Sequence, residues 1–228
     1  MKKLSKAIVH LLCVVVAGLF LIMAVNRFKS YDRLVSVRGL CEREVKADQA
    51  IYPISFTAGG NDLQSVNANV KDCKQRIVEF LKTNGFEDSE ISVSAPSISD
   101  NRNESYRSAG VPDFTVRSTV TVCTPKVDSV LALQNKLSEL VEQGIAINVN
   151  EWNVTYNFTG LNDIKPQMIE EANKAARAAG EQFAKDSDSR LGKIKEASQG
   201  LFSIENRDQN TPYIKKVRVV TYVNYYLR

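Results

Sequence analysis

The stretch Val35–Phe56, VSVRGLCEREVKADQAIYPISF, decides the fold, because its two halves pattern as strands on either side of a Lys-Ala-Asp turn. The expected strands run from about Leu34 to Lys46 and from Ala50 to Ala58, with Gly59-Gly60 ending the second. The first is crowded with charge, and the two-residue strand period sorts it: Arg38, Glu42 and Glu44 share one face. Glu42 and Glu44 are placed as a carboxylate pair would be. The opposite face carries Val35, Val37, Gly39, Cys41 and Val45, the pattern of a half-buried strand. The charges are therefore read as a solvated face with cross-strand ion pairs of about 0.2–1 kcal/mol each, not as an active site.

Downstream, apolar residues recur at Leu63, Val66, Val70, Cys73, Ile77, Phe80 and Leu81, the spacing of an amphipathic helix, which Asn84-Gly85 stops. A strand over EISVSAPSIS (Glu90–Ser99), a polar loop and an alternating strand FTVRSTVTVCT (Phe114–Thr124) follow. Val130, Leu133, Leu137 and Leu140 mark a helix ending near Gly144, then INVNEWNVTYNF (Ile147–Phe158) reads as a strand. A third helix steps through Ile169, Ala172, Ala176, Ala179 and Phe183 on a mostly alanine face, and strands near 193–205 and 213–227 close the chain. Strand pairs and hairpins separated by helices, without strict β-α alternation, predict an α+β fold. Its largely antiparallel sheets are covered by amphipathic helices and preceded by one N-terminal transmembrane helix.

That transmembrane helix is the run Ala7–Val25, 19 residues without a formal charge, about the length that crosses a bilayer core. It is long for a cleavable signal, and no small-x-small pair precedes NRFKSYDR, so a retained signal anchor is expected. His10 near its start is read as a neutral side chain, and Cys13, preceded by the bulky Leu12, is not a lipid-attachment site. Residues 1–33 form the anchor and juxtamembrane segment and 34–228 the α+β domain. The expected location is the inner (cytoplasmic) membrane, single-pass, with the domain on the periplasmic or extracytoplasmic side; the alternative is secretion to the periplasm after cleavage. Outside the anchor segment the chain has a net charge of −1, since residues 1–33 hold six of the 30 Lys and Arg and one of the 26 Asp and Glu. The domain lacks the basic footprint of a nucleic-acid binder, and no nucleic-acid partner is expected.

The strand from Val35, the helix leading into VEFLKTNGFEDSEIS, the strand FTVRSTVTV and above all EEANKAARAAGEQFAKDSDSRLGKIKEASQG resemble the SIMPL domain family of bacterial periplasmic or membrane-anchored proteins. Val37, Gly39, Lys46, Asp48, Ala172, Ala175, Ala176, Ala179, Ala184, Leu191 and Gly192 match its pattern, and Cys41 stands where that family more often has a small residue. The resemblance implies a cell-envelope protein without established catalytic residues, in a family with some members linked to oxidative-stress defence.

The chemistry open to the domain is narrow. The sole histidine is His10, so His-containing triads and His-ligated metals are excluded for residues 34–228. No catalytic, cofactor-binding or metal-ligating residue is assigned, and no cofactor is expected. Cys41 and Cys73 fall on apolar faces; Cys123 alternates outward with Arg117 and Thr121 and is the candidate reactive thiol. Trp152, Tyr156 and Phe158 share a strand face and are read as core, while Tyr222, Tyr225 and Tyr226 near the end suit an edge that pairs between subunits. The expected function is non-enzymatic: a membrane-anchored envelope protein acting through self-assembly, as a homo-oligomer, or through partner binding. A small-molecule ligand is left open. Thiol-based redox chemistry at Cys123 or Cys41 is the alternative, and a carboxylate enzyme at Glu42 and Glu44 the third.

Overall fold

A computed structural model describes residues 12, 14–25, 33–102, 110–148 and 154–228. The element order is β1 (Leu34–Lys46), β2 (Gln49–Gly60), α1 (Leu63–Thr83), β3 (Ile91–Val93), β4 (Ser97–Asp100), β5 (Phe114–Thr124), α2 (Val127–Gln134), α3 (Ser138–Glu142), β6 (Ile147–Asn148), β7 (Thr155–Asn157), α4 (Leu161–Asp186), β8 (Leu191–Gln199), β9 (Ser203–Asn206) and β10 (Ile214–Leu227). The α+β class with antiparallel sheets and helices is as expected. The chain divides into two units, Glu44–Leu161 with Glu205–Lys216, and residues up to Arg43 with Asn162–Ile204 and Val217–Arg228.

The expected β1–β2 hairpin does not form: β1 lies in a sheet of order β1-β10-β8, whereas β2 lies in a sheet of order β3-β5-β2-β6. A two-residue hairpin link needs a positive φ that Gly, Asn or Asp supplies. Among the described residues the only non-glycine with positive φ is Asp188, so Ala47-Asp48 is not such a turn. It carries the chain from one sheet to the other.

In the first unit, β2 and β5 hold one register from Ala50 opposite Thr124 to Gly60 opposite Phe114. Tyr52, Ile54 and Phe56 of β2 and Val120 and Val122 of β5 form one buried cluster with the α1 stripe Val66, Val70, Cys73, Ile77, Phe80 and Leu81. Burying such side chains stabilises by about 1.5–3 kcal/mol each. Asp62 caps α1, accepting the Ser65 amide at 2.8 Å, and Gly85, at φ +90, turns the chain out of it.

Two expected elements of this unit are broken. The strand Glu90–Ser99 splits into β3 and β4, both on β5, at a site containing Pro96, which has no N–H for the ladder. There the Ser94 hydroxyl accepts the Thr119 amide at 3.0 Å. The helix through Val130 and Leu140 becomes α2 and α3, joined by a tighter turn in which Lys136 bonds to Leu133 and Glu139 to Lys136. Of the expected strand Ile147–Phe158, the described residues form β6 and β7, both paired with β2, and residues 149–153 lie outside the described residues. Tyr156 is buried and Phe158 half-buried, while Trp152 lies outside the described residues.

In the second unit β8 pairs antiparallel with β10 from Thr221 opposite Gln199 to Leu227 opposite Leu191. The expected strand 193–205 divides into β8 and β9 around Gly200, whose amide donates to the Val220 carbonyl at 2.8 Å. Helix α4 buries Met168, Ala172, Ala176, Gly180 and Ala184, a ridge of residues four apart. This corrects the expected stripe: Gly180 belongs to it, and Phe183, 60% exposed, does not. A seam of small residues brings the helix backbone close to its neighbours and leaves no room for a phenyl ring.

Residues 14–25 are helical and largely exposed, and among the described residues no helix is long and apolar enough to cross a membrane. The rest of the expected span, with His10 and Cys13, lies outside the described residues.

Candidate functional site

The residues that carry the resemblance are positioned for packing and capping. A Cβ on Gly39 would sit 1.8 Å from the Ala172 carbonyl oxygen and 2.5 Å from the Ala176 nitrogen, so β1 and α4 meet backbone to backbone. Val37, Ala176, Val223 and Tyr225 form the buried cluster there, with Val35, Ala179 and Leu191 packed against it. A Cβ on Gly192 would lie 2.7 Å from the Tyr226 carbonyl oxygen. Ala175 is exposed and takes no part. In the first unit, the Asp48 carboxylate accepts the amides of Thr159 and Gly160 at 2.8 Å each, just before α4 begins. Lys46 pairs with Asp128 at 2.6 Å.

The charged face of β1 resolves into separate pairs. Arg38 lies over the Tyr222 ring at 5.1 Å and Glu42 meets Arg218 at 3.4 Å. Glu44 meets Arg207, also at 3.4 Å. Arg43, on the inner face, donates to Glu171 at 2.8 Å and to Gln167 at 3.1 Å. The Cys41 thiol donates to the other oxygen of Glu171 at 3.0 Å. Burial, and then that hydrogen bond, push this thiol up to about 11, so it stays protonated at neutral pH. Cys73 is buried on α1 and its thiol is likewise raised, chiefly by desolvation. Cys123 is exposed on β5.

A different set of residues forms a pocket of about 320 Å³ in the first unit. Its walls are Tyr52, Tyr156, Tyr213, Leu131, Leu137 and Pro212, and its polar groups are the side-chain amides of Gln134, Asn135, Gln209 and Asn210. Each amide pair closes a short element end: Gln134-Asn135 at the end of α2, Gln209-Asn210 in the loop before β10. Asp208 holds that loop, accepting the amides of Asn210 at 2.9 Å and Thr211 at 2.7 Å. It also accepts the Thr211 hydroxyl and, at 2.9 Å, the Arg207 Nε. The Thr211 hydroxyl, then Arg207, lower Asp208 to about 2, so the clamp is ionised at neutral pH.

Tyr156 and Tyr213 meet edge to face, ring centres 6.1 Å apart at 72°. The Tyr156 hydroxyl is buried with no hydrogen-bond partner, and burial pushes it up to about 12. The lining contains no Asp, Glu, Lys, Arg, His or Cys, so of the side chains that exchange protons in catalysis it holds only tyrosines. Sequence reading missed this pocket, because its residues come from four separate stretches. The signal it had was the repeated Gln-Asn dipeptide, each copy within a few residues of an apolar or tyrosine wall.

Among the described residues no group of three His, Cys, Asp or Glu is placed to hold a metal ion. No curated protein matches the chain. The family model for SIMPL, described as a protein of unknown function (DUF541), matches residues 35–221, a span that includes Gly39, Ala172, Ala176, Gly192 and every residue lining the pocket. The chain belongs to the SIMPL family.

Proposed function

We propose that the protein is a non-enzymatic cell-envelope protein, anchored in the membrane by its N-terminal segment, that acts through self-assembly or partner binding. The observation that carries this reading is the pocket: its lining of phenols, amides and apolar side chains suits recognition and offers no carboxylate, imidazole, amine or thiol. Self-assembly is supported by β8, which pairs only with β10 among the described residues and exposes Ile194 to 55%. An unpaired strand with an apolar surface is a template for another chain. Anchoring rests on the 19-residue uncharged run, and a role in envelope or oxidative-stress defence rests on the family resemblance alone.

The second reading, thiol redox chemistry, keeps only Cys123, because Cys41 is buried and its protonated thiol is held in a hydrogen bond to Glu171. One experiment separates the two. The full-length protein should stay with membranes through a carbonate wash, and after extraction should run as an assembly larger than one chain by light scattering, with or without dithiothreitol. A soluble protein starting beyond Val25 would end the anchor reading. A monomer would end self-assembly, and an assembly that dissolves in dithiothreitol would transfer the function to Cys123.

A further inference from the structure

We infer that the pocket of the first unit binds an uncharged saccharide, held by the amides of Gln134, Asn135, Gln209 and Asn210, with a sugar face against its tyrosines. This rests on the binding reading above and names its ligand class. The first argument is charge. A charged ligand entering this site would lose water and meet no countercharge, because no lining side chain is ionised at neutral pH. The nearest carboxylate in the loop, Asp208, is already engaged by Asn210, Thr211 and Arg207.

The second argument is hydrogen-bonding type. Each amide offers a donor and an acceptor side by side, the complement of neighbouring hydroxyls, each of which both donates and accepts. No described protein group accepts from or donates to these four side-chain amides, so water satisfies them until a ligand displaces it. The Tyr156 hydroxyl has stronger need: its residue is 4% exposed and the hydroxyl has no partner.

The third argument is shape. A pyranose has apolar C–H faces and a polar rim, which match aromatic walls with amides around them. A volume of about 320 Å³ lies at the small end of ligand pockets, roughly 300–1,000 Å³, and suits a mono- or disaccharide. A peptide, by contrast, is recognised mainly through backbone pairing on a strand edge, and the polar groups converging here are side-chain amides.

The test uses the full-length chain in phosphatidylcholine nanodiscs, free of sugar detergents, titrated with cellobiose, chitobiose, glucuronic acid and N-acetyl-Ala-Ala-amide. At least one neutral disaccharide should bind, and glucuronic acid should not. Tyr156→Phe should weaken that binding about tenfold, and Asn210→Ala should weaken it several-fold. Because it removes an unpartnered buried hydroxyl, Tyr156→Phe should at the same time leave the melting temperature unchanged or raise it by about 2–4 °C. A merely structural tyrosine would not separate the two readouts in this way.

Disaccharide binding that ignores both substitutions would place the sugar elsewhere and overturn the inference. Binding of the dipeptide amide without any sugar would overturn it while leaving the binding reading intact. If no probe binds and neither substitution alters the assembly seen by light scattering, the inference and the binding reading fall together.

Discussion

Gly39→Ala should lower the melting temperature of the second unit by roughly 6–12 °C, since no other glycine would bring a Cβ so close to its neighbours. The added carbon would stand 1.8 Å from one backbone atom of α4 and 2.5 Å from another. Overpacking a core with a flexible side chain costs about 1–3 kcal/mol, because a rotamer can move. Here the obstacle is the main chain of a 26-residue helix, so the cost belongs at or above the top of that range. The sheet and helix must separate, and Val37, Ala176, Val223 and Tyr225 lose contact together. Thermal unfolding followed by circular dichroism reads the effect.

Asp48→Ala should destabilise the first unit by about 2 kcal/mol, the upper end for loss of a capping carboxylate. Asp48 accepts the Thr159 amide, the Thr159 hydroxyl at 3.1 Å and the Gly160 amide, so its removal leaves three donors without this acceptor. Its own amide donates to the Asn157 carbonyl at 3.0 Å, which fixes the carboxylate at the mouth of that turn. Asp48→Asn keeps one acceptor oxygen but loses the charge, and should recover about half of the loss. Urea unfolding of the three proteins, compared at equal slope, measures it.

The parts of the fold legible in the sequence were those where one physical signal acts alone. The two-residue alternation of Val35–Lys46 sorted wet from dry sides, and the structure buries Val37, Gly39 and Cys41 while exposing Arg38, Glu42 and Glu44. The spacing Val66, Val70, Cys73, Ile77, Phe80, Leu81 located α1 and its buried stripe. The misses came where non-local pairing outranks local pattern. Nothing within Val35–Phe56 records that the partners of β1 and β2 are β10 and β5, far along the chain. Phe183 carries the apolar signal that a helix-face count rewards, yet the seam takes Gly180, where a Cβ would already lie 3.1 Å from the Leu191 side chain and 3.4 Å from the Tyr225 ring. Arg43 and Glu171 are 128 positions apart, so their meeting over Cys41 was invisible.

The same distinction separates the signature from the site. Gly39, Ala172, Ala176, Leu191 and Gly192 carry the resemblance through close packing, and Asp48 through the amides it accepts. They report the fold. The pocket residues are tyrosines and amides that are individually ordinary, and only the folded chain brings Gln134-Asn135 beside Gln209-Asn210. A family pattern carried by packing accounts for a shared architecture without prescribing a shared reaction.

The measurement that tests this account most directly is the pair of melting temperatures for Ala176→Leu and Lys174→Leu. Ala176 is fully buried against β1, and Lys174 is exposed and pairs with Glu170 at 2.6 Å on the outer face of the same helix. The account predicts a loss of about 1–3 kcal/mol, several degrees, for Ala176→Leu, and a change within about 0.5 kcal/mol for Lys174→Leu. Equal and small shifts for both would mean that the alanines serve helix propensity alone, and would contradict the close-packed seam on which the reading of the family pattern depends.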